Sequence, residues 1–197
     1  MKWIIATNNA DKVKEFHEIL PSLGLEAQSL REAGVKLEVE ENGTSFEENA
    51  LLKARGCCAL TGRPSVADDS GIVIDALGGA PGIYSARYAP TPAECNARVL
   101  RELEGVPEGE ARHAYYVCAI ACVMPDGREF TVRGEFHGQI ALEEKGTNGF
   151  GYDPMFYLPE YGITCGELAP EIKNEISHRG KALRAFAEKI KEMELNK

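Results

Sequence analysis

The chain opens on a short continuous apolar block, Trp3-Ile4-Ile5-Ala6, that turns polar at Thr7-Asn8-Asn9, which predicts a buried strand over residues 2–6. From residue 11 to 20 the apolar positions move to helical spacing, at Val13, Phe16, Ile19 and Leu20, and Pro21 lies just beyond as a stop. A short strand is expected over 26–30. Residues 44–61 read as a helix, with Thr44 as N-cap, Glu47 completing a capping box, and Gly62 and Pro64 closing it. Strands are expected over 65–67 and 72–74, on either side of the polar centre Asp68-Asp69-Ser70-Gly71. Gly78-Gly79-Ala80-Pro81-Gly82 predicts a tight loop, and 92–103 a helix capped by Thr91. Residues 115–124 and 128–140, joined by Pro125-Asp126-Gly127, give the best hairpin signal. Thr147-Asn148-Gly149 starts another loop, and a last helix runs from about 178 to 193 with a stripe of Leu183, Phe186, Ala187 and Ile190. Strands and helices interleave, which places the chain in the α/β class, and the hairpin makes the sheet mixed.

Length and composition narrow this picture. The 197 residues suit one large domain or two small lobes, and without a repeat, low-complexity tract or clear linker we take residues 1–197 as one domain. A hydrophobic share of 44% and a charged share of 27% are ordinary for a soluble globular chain. The net charge of -9 argues against a nucleic-acid surface, which needs a basic stripe, but not against a small anionic ligand. There is no targeting segment and no apolar run near the ~18 residues that cross a bilayer, so a cytoplasmic protein without a membrane partner is expected. The six cysteines form no C-x-x-C pair and the histidines do not cluster near them, so they read as reduced packing residues rather than a zinc site.

Four segments carry chemistry. Asp68 and Asp69 are adjacent acids among strand-forming residues, a costly arrangement unless something binds them, and the usual binder is a divalent cation. The plainer alternative is a polar turn with Ser70-Gly71. A second acidic run, Glu38-Val39-Glu40-Glu41, ends at Asn42-Gly43, so carboxylates are available from two loops. Hard oxygen ligands point to Mg²⁺ or Mn²⁺, and Mg²⁺ in enzymes usually accompanies phosphates. Side chains alternate along a strand, so the two neighbours are expected to divide the work, one on the metal and the other as base or anchor.

Thr7-Asn8-Asn9-Ala10-Asp11-Lys12 lies between the first strand and helix, where backbone N–H groups, a hydroxyl and amides make an anion cradle and Lys12 adds a charge. It lacks P-loop glycines, and an asparagine simply capping the helix is the alternative. Gly149-Phe150-Gly151-Tyr152-Asp153-Pro154 sets bare backbone beside flat faces; the aromatics either stack a base, at ~1–3 kcal/mol each, or pack inward around a turn. Ser177-His178-Arg179-Gly180-Lys181, with Lys173 upstream, puts cations in the first turn of the last helix, against its dipole. That suggests an anion or carbonyl-rich ligand, the alternative being a solvated basic turn. A metal site, a phosphate cradle, a stacking surface and base-edge donors together describe a nucleotide enzyme.

In these segments the chain resembles the inosine triphosphate pyrophosphatases, also called the Ham1-like family. The resemblance runs through Thr7 to Lys12, Ser45-Phe46-Glu47-Glu48-Asn49-Ala50, Ala67-Asp68-Asp69-Ser70-Gly71, the stretch from Leu77 to Tyr88, Phe150-Gly151-Tyr152-Asp153-Pro154 and Ile176-Ser177-His178-Arg179-Gly180. It follows family order over nearly the whole chain; the departure is Asn9-Ala10, where the family commonly has a glycine beside the asparagine. The resemblance implies an elongated mixed β-sheet flanked by helices, two lobes around a central cleft, and a homodimer. It also implies hydrolysis of dITP, ITP and XTP to the monophosphate and pyrophosphate with Mg²⁺ (Mn²⁺ as substitute), which keeps these nucleotides out of DNA and RNA.

By the same resemblance Asp69 is the general base, and Glu40 with Asp68 or Asp69 holds the metal. Thr7, Asn8, Asn9, Ala10, Asp11, Lys12, Lys53, Ser70, Phe150, Gly151, Tyr152, Asp153, Lys173, His178 and Arg179 then bind the substrate, with Lys12, the loop amides and Lys53 holding the phosphate chain. Lys53 stands four residues after Asn49, so the two are expected on one helix face. Arg179 and His178 are expected to donate to the 6-keto oxygen and Asp153 to accept from a ring N–H, with Phe150 or Tyr152 as the stacking face. Adenine inverts both groups and leaves buried donors unpaired, a mismatch that discriminates by ~10⁴ or more. Two rival readings are a nucleotide sensor without turnover, which has no need of Asp69 as a base, and a pyrophosphatase of modified pyrimidine nucleotides, against which His178 and Arg179 speak.

Overall fold

The structure, a computed structural model, describes residues 2–195. The apolar blocks form the elements that their spacing predicts. β1 (Trp3–Ile5) is buried throughout, α1 (Ala10–Ile19) starts at an Asn9 cap, and β2 (Ala27–Ser29) follows. α2 (Phe46–Thr61) starts one residue later than expected, because Ser45 rather than Thr44 is its N-cap. Ser45 Oγ accepts from Glu48 N at 3.1 Å, and Glu48 reaches past the cap to accept from Thr44 N and Oγ1 at 2.6 and 2.9 Å, so the end is capped without the expected Thr44–Glu47 box.

β3 (Ser65–Ile74) is a single strand where two were expected. Its polar middle needs no turn, because cationic side chains from neighbouring helices meet both acids. α3 (Pro92–Glu102) is capped by Thr91, and β4 (His113–Val123) and β5 (Glu129–Ile140) form the hairpin. β6 (Phe156–Leu158), β7 (Ile163–Thr164) and α4 (Pro170–Ile176) were not expected; each is too short to show a period. α5 (His178–Leu195) completes the chain as predicted. The seven strands form one sheet in the order β2-β1-β3-β4-β5-β6-β7. β1 runs parallel to β2 and β3, whereas β6 runs antiparallel to β5 and β7, which makes the sheet mixed.

The chain divides into two compact units. Unit 1 comprises the segment ending at Asp69, Cys118–Gly134 and the segment from His178 onward; unit 2 comprises Ser70–Val117 and Glu135–Ser177. Neither is contiguous, so neither can be cut out of the chain as one piece.

In unit 1 strand alternation builds two cores. Trp3, Ile5, Val66, Cys118, Ile120 and Cys122 pack with Phe16 and Ile19 of α1 and with Leu183, Phe186 and Ile190 of α5. The alternate residues, Ile4, Ala6, Ala67, Ala121 and Val123, pack with Ala50, Ala54 and Cys57 of α2. At Gly134 a Cβ would lie 2.2 Å from His178 O and 2.7 Å from Ala182 N, so glycine lets β5 approach the start of α5. Unit 2 has its own core, with Ile72, Ile74, Val99, Leu103, Met155 and Phe156 among its members. Beside it the buried Arg112 guanidinium donates to the carbonyls of Ile140, Leu103, Val106 and Ala141 at 2.8–3.3 Å. All six cysteines are buried and free. No helix among the described residues is long and apolar enough to cross a membrane.

Candidate active site

Alternation along β3 decides what each acid meets. Asp68 stands two residues after Val66 and continues the face covered by α1 and α5; Asp69 stands two after Ala67 and continues the face covered by α2. Asp68 Oδ2 lies 3.1 Å from Lys12 Nζ and 2.9 Å from Arg179 Nη2. Arg179 is fully buried, and its Nη1 donates to Glu15 of α1. Burial by itself would raise the Asp68 pKa, but the charges of Lys12, Arg179 and Lys53 outweigh it and hold the carboxyl well below the usual carboxylate range. Asp68 is therefore a fixed anion. Burial likewise disfavours the Arg179 charge, and Asp68 and Glu15 more than restore it.

On the other face Asn49 Nδ2 donates to Asp69 Oδ2 at 3.2 Å, and Lys53 Nζ lies 3.4 Å from Asp69 Oδ1 and 3.0 Å from Glu41 Oε2. Asn49 and Lys53 share a helix face, as their spacing predicts. Burial pushes the Asp69 pKa up, Lys53 and Lys12 pull it back, Glu41 and Asp68 add to the push, and the net value is raised. Two adjacent carboxylates thus have opposite character, one locked ionised and the other inclined to take a proton.

The acidic loop is tied to the same helix. Gly43 N donates to Asn49 Oδ1 at 2.9 Å, which aims the Asn49 amide nitrogen at Asp69. A Cβ at Gly43 would stand 2.7 Å from that oxygen, so only glycine permits this approach. Asn8 Nδ2 donates to Leu37 O at 3.1 Å and joins the loop after β1 to the acidic loop. Within that first loop Asn9 Oδ1 accepts from Lys12 N at 3.1 Å as the α1 cap, while Asn8, Asn9, Ala10 and Asp11 stay exposed and Thr7 half-buried.

Several expected roles change here. Glu40 is exposed on its loop, and it is Glu41 that reaches Lys53. Arg179, expected to read a base edge, has its guanidinium engaged by two carboxylates because Asp68 and Glu15 are buried around it. His178 is buried at the start of α5. Glu15 was missed altogether; one charged residue beside a helical apolar stripe reads as surface.

Unit 2 holds a second polar group, and Ser70 is the first residue of that unit. Asp153 is 2% exposed; its Oδ2 lies 2.6 Å from Lys173 Nζ and accepts from Phe150 N at 2.8 Å, and its Oδ1 accepts from Tyr116 Oη at 3.2 Å. Lys173 Nζ also stands 4.8 Å from the centre of the half-buried Phe150 ring. Gly151 O accepts from Asn96 Nδ2 at 3.2 Å. Tyr152, the other aromatic expected as a stacking face, packs into the core and donates to Ser85 O at 2.7 Å. Tyr116 was not foreseen, since a tyrosine within an apolar strand reads as core.

Comparison with known proteins adds a second line of observation. A family model described as the Ham1 family matches residues 3–189. A protein of Desulforamulus reducens named dITP/XTP pyrophosphatase is 49% identical over 191 residues, 95% of this chain and 94% of its own length. One of the same name from Geobacillus kaustophilus is 48% identical over 96% of this chain and 94% of its own. Among solved structures, a HAM1 protein from Coxiella burnetii superposes with a TM-score of 0.86 at 40% identity, covering 98% of this chain and 99% of that one. The Staphylococcus aureus Ham1 protein gives 0.85 at 36% identity, covering 98% and 100%.

Proposed function

Since the chain belongs to the Ham1 family, we propose that it hydrolyses the noncanonical purine nucleoside triphosphates dITP, ITP and XTP to the monophosphate and pyrophosphate. The observation that carries this reading is the split acid pair of β3. Cleavage between the α and β phosphates needs a water relieved of a proton and cations for the departing charge. Asp69, with its raised pKa, takes the proton; Asp68 stays anionic and fixes Lys12 and Arg179 around it. Lys12, Lys53 and the exposed N–H groups of the loop from Thr7 to Lys12 receive the phosphates.

The residues also fit a hard divalent cation. Asp68 Oδ1 is buried and has no hydrogen-bond partner among the described residues. Asp69 and the loop carboxylates Glu40 and Glu41 supply further oxygens, and Lys53 already brings a positive charge between Asp69 and Glu41. Mg²⁺ keeps several waters and takes phosphate oxygens, so one or two of these carboxylates would suffice to hold it. When bound, it would acidify a water and neutralise phosphate charge.

For base selection, unit 2 offers Lys173 as donor to a 6-keto oxygen, Asp153 as acceptor and Phe150 as stacking face. Adenine carries a donor where Lys173 needs an acceptor. The reading extends to a cytoplasmic compartment, supported by six free buried cysteines, and to a homodimer, supported by the resemblance alone and tested by light scattering.

The enzymatic test is pyrophosphate release from ITP, dITP, XTP and ATP, with and without Mg²⁺, for wild type and Asp69→Asn. Release from the first three is expected, reduced at least ~10²-fold by the substitution. Tight ITP binding with no Mg²⁺-dependent release would turn the reading to a nucleotide sensor.

A further inference from the structure

His113 and His137 have no part in this chemistry, and both lie in unit 2. His113, the first residue of β4, sets Nδ1 2.6 Å from Asp75 Oδ2, and His137 of β5 sets Nε2 3.2 Å from Glu135 Oε2. An ionised carboxylate only accepts, so each contact fixes a proton, on Nδ1 of His113 and on Nε2 of His137. In the neutral rings the two remaining nitrogens, His113 Nε2 and His137 Nδ1, are both lone-pair acceptors. They lie 3.3 Å apart. Two acceptors at that separation repel one another unless a cation is shared between them. Ring packing holds them there: the centre of the His137 ring lies 5.1 Å from that of Tyr115 and 5.5 Å from that of His113, with interplanar angles of 21° and 23°, so the two imidazoles meet edge to edge.

We propose that His113 Nε2 and His137 Nδ1 form a binding site for a transition-metal cation of the zinc class. Two nitrogens each about 2.0–2.1 Å from a tetrahedral Zn²⁺ are about 3.3–3.4 Å apart, which is the separation seen. The carboxylates on the far nitrogens are the outer partners that metal-bound imidazoles usually have; they fix the tautomer and raise ligand basicity. Imidazole suits Zn²⁺, Cu²⁺ and Ni²⁺, so the site is chemically distinct from the hard oxygens around Asp69. With side chains 30% and 55% exposed, His113 and His137 are open to solvent, and water completes the coordination. No third protein ligand converges there among the described residues, so the site binds more weakly than a closed four-ligand one.

The test is a Zn²⁺ titration of the full chain with excess Mg²⁺ present, read by calorimetry and by the imidazole nitrogen signals in NMR. One equivalent of Zn²⁺ is expected to shift His113 Nε2 and His137 Nδ1 while the other nitrogen of each ring keeps its proton. His137→Ala should lower Zn²⁺ affinity at least about tenfold, Asp75→Asn about 10–100-fold, and His17→Ala not at all. Unchanged Zn²⁺ affinity in His137→Ala would overturn the proposal. So would nitrogen signals unmoved by Zn²⁺, which would show that a shared proton alone fills the gap.

Discussion

Arg179→Met separates two readings of one residue. As a base reader, Arg179 would control the preference for ITP over ATP; as placed, it joins Asp68 to Glu15 in a buried network. Removing the guanidinium leaves Lys12 alone with Asp68, and Glu15 without its buried cation. Breaking a buried pair by deleting one partner costs ~3–5 kcal/mol. At ~2–4 °C per kcal/mol for a chain of this size, the melting temperature should fall by ~6–20 °C. Glu15→Gln in the same background removes the carboxylate charge that faced Arg179, so the double variant should regain about 1–3 kcal/mol. The sign of the pH dependence follows. Asp68 has its folded pKa below its unfolded one, so its stabilisation is complete above ~4 and is lost as pH falls below that; the variant should show a shallower acid slope. Denaturation curves at pH 7 and in acid give these quantities. Arg179→Lys, which keeps a charge, serves for kinetics: kcat/KM should fall for ITP and ATP alike, with their ratio changed by less than about threefold. Near-native stability in Arg179→Met, with an ITP-selective loss in Arg179→Lys, would return Arg179 to the base edge.

Three other substitutions probe separate links. Lys53 lowers the Asp69 pKa, so Lys53→Met should move the acid limb of the kcat/KM profile to higher pH; an unmoved or lowered limb contradicts the assignment of Asp69 as base. Arg112→Met strands four carbonyls that one guanidinium now serves and should cost ~3 kcal/mol in chemical denaturation. Tyr116→Phe removes one donor to Asp153, with an expected loss of ~1 kcal/mol in stability and a rise in KM for ITP larger than any fall in kcat.

What was legible in the chain is what local rules control. The strand before Thr7, the helix of Asn49 and Lys53 and the hairpin at Gly127 follow from periods, caps and turn residues spanning a few positions. The exceptions are instructive. Both β3 and the α2 cap departed from expectation where polar residues had more than one local use: Thr44 and Ser45 are both competent caps, and Asp68-Asp69-Ser70-Gly71 is as good a turn as it is a strand. Tertiary partners settled β3, where Lys12, Lys53 and Arg179 meet the acids. For the site, the residue types were readable but their pairings were not, because Arg179 lies 111 positions from Asp68 and 164 from Glu15. No window of sequence links such groups.

Alternation is the rule that crosses this divide. It is purely local, yet it assigns Asp68 to the helices over Val66 and Asp69 to the helix over Ala67. Because cations differ on the two faces, the assignment becomes chemistry: Lys12 and Arg179 hold one acid ionised, while burial with Lys53, Glu41 and Asn49 leaves the other able to take a proton. Shifting β3 by one residue against its helices would exchange the two environments without altering any side chain. Val66 and Ala67 are therefore as much a part of the division of labour as the acids themselves. The apolar pattern that folds the strand also decides which aspartate can act as a base.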